Sequence, residues 1–118
     1  VEPYPEAKLG AADVDRLAGK NRYDTAAMAA QLGVNAGMRW DGAGLATGLN
    51  FPDALSGGAM LGKLGSVMLL TRPDALSGEA YTKLYTNRAV IDTLFIFGDY
   101  NAISEEVEAA AEKAATVL

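Results

Sequence analysis

The run Ser66-Val67-Met68-Leu69-Leu70-Thr71 decides the fold class of this chain. Its four central residues are apolar and consecutive. Such a run is typical of a strand in a parallel sheet that is buried on both faces, because helices cover the strand from either side. The run therefore predicts a central strand of an α/β domain, and Gly65 in front of it predicts the end of a preceding helix.

Helices and strands alternate outward from this run. Pro52 suits the first turn of a helix that continues to about Leu64, and Ser104 suits the cap of a last helix. Asp24 or Thr25 is expected to cap a first helix that ends near Val34. The other predicted elements are strands over residues 16–19, 44–47 and 93–97, a loop over 35–41 and a weaker helix over 79–90. This alternation predicts a mostly parallel sheet with helices on both faces.

The predicted first and last helices carry unusually small inner stripes. The first stripe is Ala26, Ala29, Ala30 and Gly33, and the last is Val107, Ala110, Ala111, Ala114 and Leu118. Small side chains let a helix lie close to a sheet. The length of 118 residues fits one domain, which we expect to be an extended lead-in over residues 1–13 and a single module over residues 14–118.

Composition excludes several function classes. The net charge of −5 argues against a bulk nucleic-acid binder, which needs a basic face. The chain has no histidine and no cysteine, so it lacks the usual general base, thiolate metal ligands and disulfides. No apolar run is long enough to span a membrane. The first residues carry two prolines and no signal peptide, so we expect a piece of a longer protein.

The carboxyl ends of parallel strands are where ligands bind in such sheets, and two sets of side chains are expected there. Asn50 and Ser56 lie where a strand leads into a helix and could bind sugar hydroxyls, but Asn50 and Asp53 could equally be simple helix caps. Four cations could converge on an anionic ligand, or be solvated or paired with Asp24 and Asp74. These cations are Arg16, Lys20, Arg22 and Arg72.

Seven segments of the chain together resemble a known family. They are Arg16-Leu17-Ala18-Gly19, Arg22-Tyr23-Asp24-Thr25-Ala26, Ala46-Thr47-Gly48, Asn50-Phe51-Pro52-Asp53-Ala54-Leu55-Ser56-Gly57, Met68-Leu69-Leu70-Thr71, Phe97-Gly98 and Ile103-Ser104. In this order and spacing, over about residues 14–115, they resemble the type 2 cell-wall-binding repeat, the CWB2 family. One departure is Asp99, which stands where the family usually has a second glycine.

The resemblance implies a Rossmann-like or Toprim-like three-layer fold and a non-catalytic role. It implies non-covalent anchoring of a surface or secreted Gram-positive protein to an anionic, teichoic-acid-like wall polysaccharide. No cofactor, metal or catalytic residue is expected, although an attached domain of the host could be an enzyme. Tandem copies imply sister modules as partners, or a homotrimer of the single module. An acid at position 99 is expected to weaken anion binding or to change the polymer recognised.

Two other functions stay open at this point. One is a phosphate- or nucleotide-handling α/β enzyme domain, which would need acidic residues gathered on a metal. The other is a pure self-assembly domain, whose candidate surfaces are the small stripe of the first helix and the second-helix face of Gly57, Gly58, Leu61 and Gly62.

Overall fold

A computed structural model describes residues 16–49 and 51–117 of the chain. The helices and strands are α1 (Arg22–Asn35), β1 (Arg39–Thr47), α2 (Phe51–Leu64), β2 (Ser66–Thr71), α3 (Gly78–Thr86), β3 (Thr93–Phe97) and α4 (Glu105–Ala114). The expected lead-in over residues 1–13 lies outside the described residues, so that domain boundary stays a prediction.

The three strands form one parallel sheet in the order β2-β1-β3. Strand β1 is therefore the central strand, and Ala43, Leu45 and Ala46 are completely buried in it. The sequence predicted β2 as the central strand, and this was wrong. Within the described sheet β2 pairs only with β1, and its apolar run is explained by helices that cover both of its faces.

Helices α1, α3 and α4 share one hydrophobic core with one face of the sheet. That core joins Ala30 of α1, Leu84 of α3 and Val107 of α4 to Leu45 and Leu69 of the strands. The opposite face is covered by α2, which contacts β1, β2 and, less extensively, β3. The predicted α/β fold with helices on both faces of a parallel sheet is confirmed.

The chain before α1 does not form the predicted strand over residues 16–19. The backbone N–H groups of Gly19 and Lys20 donate to the side chains of Thr25 and Asp24 instead of to a neighbouring strand. Helix α1 begins at Arg22, and Asn21 is its cap, accepting a hydrogen bond from the N–H of Asp24. Asp24 and Thr25, predicted as alternative caps, lie inside the first turn.

The predicted loop over residues 35–41 is also wrong at its end, because its last three residues belong to β1. Strand β1 begins at Arg39, whose N–H donates to the carbonyl of Gly65, and Trp40 is buried. The pairing of β1 with β2 is irregular between Arg39 and Ala43. For this reason the alternation of apolar and polar residues that marks a regular strand is weak in this stretch. The Arg39 guanidinium hydrogen-bonds the Asp41 carboxylate and lowers the pKa of Asp41.

The small stripes of α1 and α4 are only partly as predicted. Helix α1 buries Tyr23, Ala27 and Ala30, whereas Ala29 is exposed. Helix α4 is capped by Ser104, as predicted, and buries Val107, Ala111 and Ala114, whereas Ala110 is exposed. Leu118 lies outside the described residues. Helix α3 ends at Thr86 rather than at residue 90. Asn87 caps this end, and its side-chain amide donates to the Lys83 carbonyl.

Candidate functional site

The carboxyl ends of β1, β2 and β3 lie along one edge of the sheet, here called the carboxyl edge. The backbone N–H of Gly48 donates to the carbonyl of Thr71 at 2.9 Å, which joins the ends of β1 and β2. The N–H of Ser104 donates to the carbonyl of Pro73 at 2.9 Å, which joins the chain after β2 to the chain after β3. These bonds hold the loops of the edge in fixed positions.

The start of α1 lies against the end of β1. The Arg22 guanidinium donates a hydrogen bond to the carbonyl oxygen of Gly48. A Cβ on Gly48 would lie 2.9 Å from the ring of Tyr23 and 2.9 Å from Arg22 Cδ. Glycine at this position therefore lets the loop after β1 pass close to both side chains.

Arg72, directly after β2, covers the same tyrosine. Its guanidinium carbon lies 4.8 Å from the centroid of the Tyr23 ring, within the range of a cation–π interaction. Tyr23 is buried, whereas Arg22 and Arg72 are both exposed. We call Arg22, Tyr23, Gly48 and Arg72 the arginine–tyrosine cluster, because one tyrosine and one glycine position both cations.

Neither arginine of the cluster forms an ion pair with another described residue. In residues 16–49 and 51–117 one ion pair is formed, between Arg39 and Asp41 at the other end of β1. The predicted alternative, in which Arg22 or Arg72 pairs with Asp24 or Asp74, is thus not what the structure shows. Two exposed guanidinium groups without a carboxylate partner can bind phosphate or carboxylate groups of a ligand.

Arg16 and Lys20 lie in the chain before α1. Arg16 lines an open groove along α1 that also includes Asp24, Gln31 and Lys83. Lys20 is exposed in the turn before α1. Their convergence with Arg22 and Arg72 was expected from a strand over residues 16–19, which does not form. The cations that the structure brings together are Arg22 and Arg72.

A polar cavity of about 440 Å³ lies at the carboxyl edge, between the chain segments that follow β1, β2 and β3. Its lining is Thr47, Leu49, Asp53, Pro73, Asp99, Asn101 and Ala102. The carboxylate of Asp53 lies only 2.6 Å from the position that a Cβ on Gly98 would take, and Gly98 has a left-handed φ of +111°. A side chain at position 98 would therefore be strained and would also meet Asp53.

Asp99 has a structural role in the turn that leads to α4. One of its carboxylate oxygens accepts hydrogen bonds from the N–H groups of Asn101 at 2.9 Å and Ala102 at 3.2 Å. This arrangement is an Asx turn. The two acids, Asp53 and Asp99, line the polar cavity, whereas Arg22 and Arg72 lie in the arginine–tyrosine cluster beside it.

Asn50 and Ser56 are the two residues predicted to bind sugar hydroxyls. Asn50 lies outside the described residues. Ser56 is exposed and lies more than one turn inside α2. Of three aromatic residues near the starts of α1, α2 and α4, Tyr23 is buried under Arg72, whereas Phe51 and Tyr100 are 80% and 62% exposed.

Sequence reasoning missed the roles of Gly48 and Thr47 in the site. Gly48 connects Arg22, Tyr23 and Thr71, and Thr47 lines the polar cavity. The available signal was a glycine directly after a strand, where loops of a parallel sheet form ligand sites.

Comparison with known proteins gives the family. A family model described as Cell wall binding domain 2 (CWB2) matches residues 16–108. The chain belongs to the CWB2 family. The chain is therefore a cell-wall-binding module, as the resemblance implied, and its family is one of cell-wall surface proteins. In the described part of this CWB2 module, no helix is long and apolar enough to cross a membrane.

The solved structure of Cwp8 from Clostridium difficile is similar to this CWB2 module. The two superpose with a TM-score of 0.69 and 25% sequence identity over 92% of this chain. The chain spans only 17% of the Cwp8 chain. A search of curated proteins found no match.

Proposed function

We propose that this CWB2 module binds an anionic wall polysaccharide of the teichoic-acid type through Arg22 and Arg72. The observation that carries the proposal is the arginine–tyrosine cluster. The hydrogen bond to Gly48 positions Arg22, and the Tyr23 ring positions Arg72, while both remain exposed and unpaired among the described residues. Positioned cations lose less side-chain entropy on binding than mobile ones.

The charge distribution along the carboxyl edge favours one position for the anionic group. Asp53 and Asp99 would repel a phosphate from the polar cavity that they line, so the anion binds outside that cavity, next to Arg22 and Arg72. The neutral sugar groups of the same polymer then extend along the surface. Arg16, Lys20, Asn50 and Ser56 stay predicted contacts of that longer ligand.

The proposed attachment makes and breaks no covalent bond. Membership of a family of binding domains supports this proposal. The alternative, a phosphate- or nucleotide-handling enzyme, needs several acids around a metal. Among the described residues no group of three or more His, Cys, Asp or Glu side chains lies close enough to hold one. We place the module outside the cell, where it would anchor its host protein to the wall.

The proposal is tested by measuring binding of the purified domain to teichoic acid, with neutral dextran as the control polymer. We expect Arg22→Ala and Arg72→Ala each to weaken binding about tenfold, because each removes a charge-assisted contact of about 1.4 kcal/mol. Binding should also weaken as salt is raised, and less steeply in these variants. Arg39→Ala removes the same charge at the opposite end of β1 and should leave binding unchanged.

Two results would overturn this assignment. One is equal loss of affinity in Arg22→Ala and Arg39→Ala, which would indicate a net-charge effect. The other is full polymer affinity in Arg22→Ala and Arg72→Ala at an unchanged melting temperature. Turnover of a phosphoester or a glycan by the pure domain would contradict the non-catalytic role.

Association of sister modules is the second part of the proposal, and α2 favours it. Phe51 and Leu55 are 80% and 71% exposed on this helix. Exposed apolar side chains in such a position are typical of interaction surfaces. Several weakly binding modules held together bind one polymer with higher effective affinity. The homotrimer implied by the resemblance stays a prediction.

A further inference from the structure

Helices α3 and α4 border a groove of about 510 Å³ away from the carboxyl edge. We call it the tyrosine groove, and the lining residues that matter here are Tyr81, Tyr85, Arg88, Ala110, Lys113 and Ala114. The two charged residues of the lining, Arg88 and Lys113, are both cations. Apolar walls with two cations match a ligand that combines apolar surface with negative charge.

Arg88 is positioned in the same way as the arginines of the arginine–tyrosine cluster. Its guanidinium carbon lies 3.9 Å from the centroid of the Tyr85 ring, and its Nη1 donates a 2.7 Å hydrogen bond to the Tyr85 carbonyl oxygen. In the cluster a carbonyl positions Arg22 and a ring positions Arg72, whereas Arg88 has both contacts. Like those two arginines, Arg88 forms no ion pair with another described residue.

The two tyrosines provide the apolar wall of the groove. Their rings are nearly parallel, with centroids 5.7 Å apart, and each residue is still 46% exposed. Exposed tyrosine offers ring carbons to the C–H groups of a sugar and a phenol hydroxyl to the hydroxyls of the sugar. The facing alanines of α4, Ala110 and Ala114, have small side chains and leave room for such a ring.

The acidic side chains nearby leave the groove positive. Glu108 and Glu112 line a neighbouring cavity beside β3, which Arg88 also borders. None of the acids of that cavity lies within ion-pair distance of Arg88. Glu106, in the first turn of α4, lies about 10 Å before Lys113 along the helix axis. Charge complementarity therefore favours an anionic occupant of the groove.

Helix α3 connects the tyrosine groove to the carboxyl edge. The helix begins at that edge, where the Ser77 hydroxyl donates to the Leu70 carbonyl and caps the first turn. Tyr81 and Tyr85 follow Ser77 by about 6 and 12 Å along the axis. A polymer with repeated acidic groups is thus able to contact the arginine–tyrosine cluster and the groove with different units of one chain.

We infer that the tyrosine groove is a second binding site for the anionic wall polysaccharide. Arg88 and Lys113 bind an acidic group of the polymer, and the tyrosines contact the adjoining sugar. Two weak sites on one chain bind a long polymer more tightly than a short fragment, because the second contact is intramolecular. This inference rests on the proposed polymer binding but uses residues outside the arginine–tyrosine cluster.

The first test separates the two sites by NMR. Glucose phosphate, titrated into the isotope-labelled domain, should shift two separate sets of backbone amides, one in the arginine–tyrosine cluster and one in the tyrosine groove. Glucose without phosphate is the control ligand and should shift neither set to the same extent. Arg88→Ala/Lys113→Ala should abolish the groove shifts only, and Arg22→Ala/Arg72→Ala the cluster shifts only.

The second test measures the affinity for teichoic acid. Arg88→Ala/Lys113→Ala should weaken binding about tenfold, because the polymer loses its second contact. Arg39→Ala/Lys63→Ala is the matched control, since it removes the same charges from the far end of β1 and from α2, and it should retain affinity. Both are measured well below their melting temperatures, because Arg88 also hydrogen-bonds the end of α3.

A third comparison tests whether the ring positions Arg88. Tyr85→Leu keeps both charges of the groove but removes the ring beneath the guanidinium, and it should weaken polymer binding about threefold. Tyr85→Phe keeps the ring and should bind like the unchanged chain. Equal affinity of the leucine and phenylalanine variants would contradict the positioning role of the tyrosine.

The outcomes distinguish this inference from the proposed function. Shifts confined to the arginine–tyrosine cluster, or equal affinities of Arg88→Ala/Lys113→Ala and Arg39→Ala/Lys63→Ala, would overturn the second site and leave the proposed function intact. Shifts confined to the tyrosine groove would support the second site and contradict the proposed function. Groove shifts that depend on protein concentration without any ligand would show that a second copy of the chain occupies the groove, and would also overturn the inference.

Discussion

Helices α1 and α2 have the same length of 14 residues, and both are rich in alanine and glycine, yet the fold uses their small residues differently. Helix α1 places Ala27 and Ala30 against its own sheet. Helix α2 places Gly57 against the sheet and leaves Gly58 and Gly62 open. A stripe of small residues therefore indicates close approach, but the sequence alone does not say to what.

The difference arises from the layers on the two faces of the sheet. Helix α1 shares its face with α3 and α4, and α3 packs against it. Helix α2 covers its face without a second described helix beside it. Substitutions at inner and outer positions of each helix measure how much each position contributes to the free energy of unfolding.

The largest effect is expected for the leucines of α2. Leu61→Ala should lower the free energy of unfolding by about 2–5 kcal/mol, because Leu61 is 1% exposed and its removal leaves a cavity. Leu55→Ala should change it by less than about 0.5 kcal/mol, because Leu55 is largely exposed. Urea denaturation at low protein concentration measures both. Similar losses in the two variants would mean that α2 is buried on both sides within one module.

A smaller effect is expected for adjacent alanines of α1. Ala30→Leu should cost about 1–3 kcal/mol, because the added atoms overpack the core that Ala30 shares with the sheet. Ala29→Leu should stay within about 0.5 kcal/mol, because Ala29 is exposed. The same denaturation assay compares them. If Ala29→Leu proved the more harmful, the inner stripe originally expected for α1 would be right after all.

The smallest effect is expected for adjacent glycines of α2. Gly58→Ala should raise the free energy of unfolding by about 1 kcal/mol, because alanine favours a helix and the site is open. Gly57→Ala should lower it by about 1 kcal/mol, since the new Cβ would lie 2.7 Å from the Phe97 ring. Thermal melts of the two variants should shift in opposite directions, and a shift of the same sign would contradict the assignment of inner and outer sides.

Local signals predicted much of the fold. Strands β2 and β3 have the predicted bounds, because continuous apolar runs end at turn residues. The start of α4 was also predicted, since the Ser104 side chain accepts the N–H of Val107 in the usual capping geometry. Strand β1 was predicted five residues too short, because Arg39 and Asp41 are polar and the pairing of β1 with β2 is irregular there.

The candidate site was less accessible to sequence reasoning. Arg22 and Arg72 were predicted as ligand-binding cations near the carboxyl ends of strands, and both lie at the carboxyl edge. Their connection through Tyr23 and Gly48 joins residues that are 50 positions apart in the chain, which no local pattern predicts. Arg16 was grouped with them through its closeness in sequence to Arg22 and through a strand that does not form, and its part in the site stays a prediction.

The sequence by itself determined the fold class, the family and the absence of histidine and cysteine chemistry, because apolar period, caps and motifs are local properties. Only the tertiary structure decided which strand is central, which arginines lie on Tyr23 and Gly48, and which side of α2 is left open. These depend on the order of strands and on which surfaces the helices cover. Packing of distant segments sets both, and the sequence encodes it only through the sum of many weak contacts.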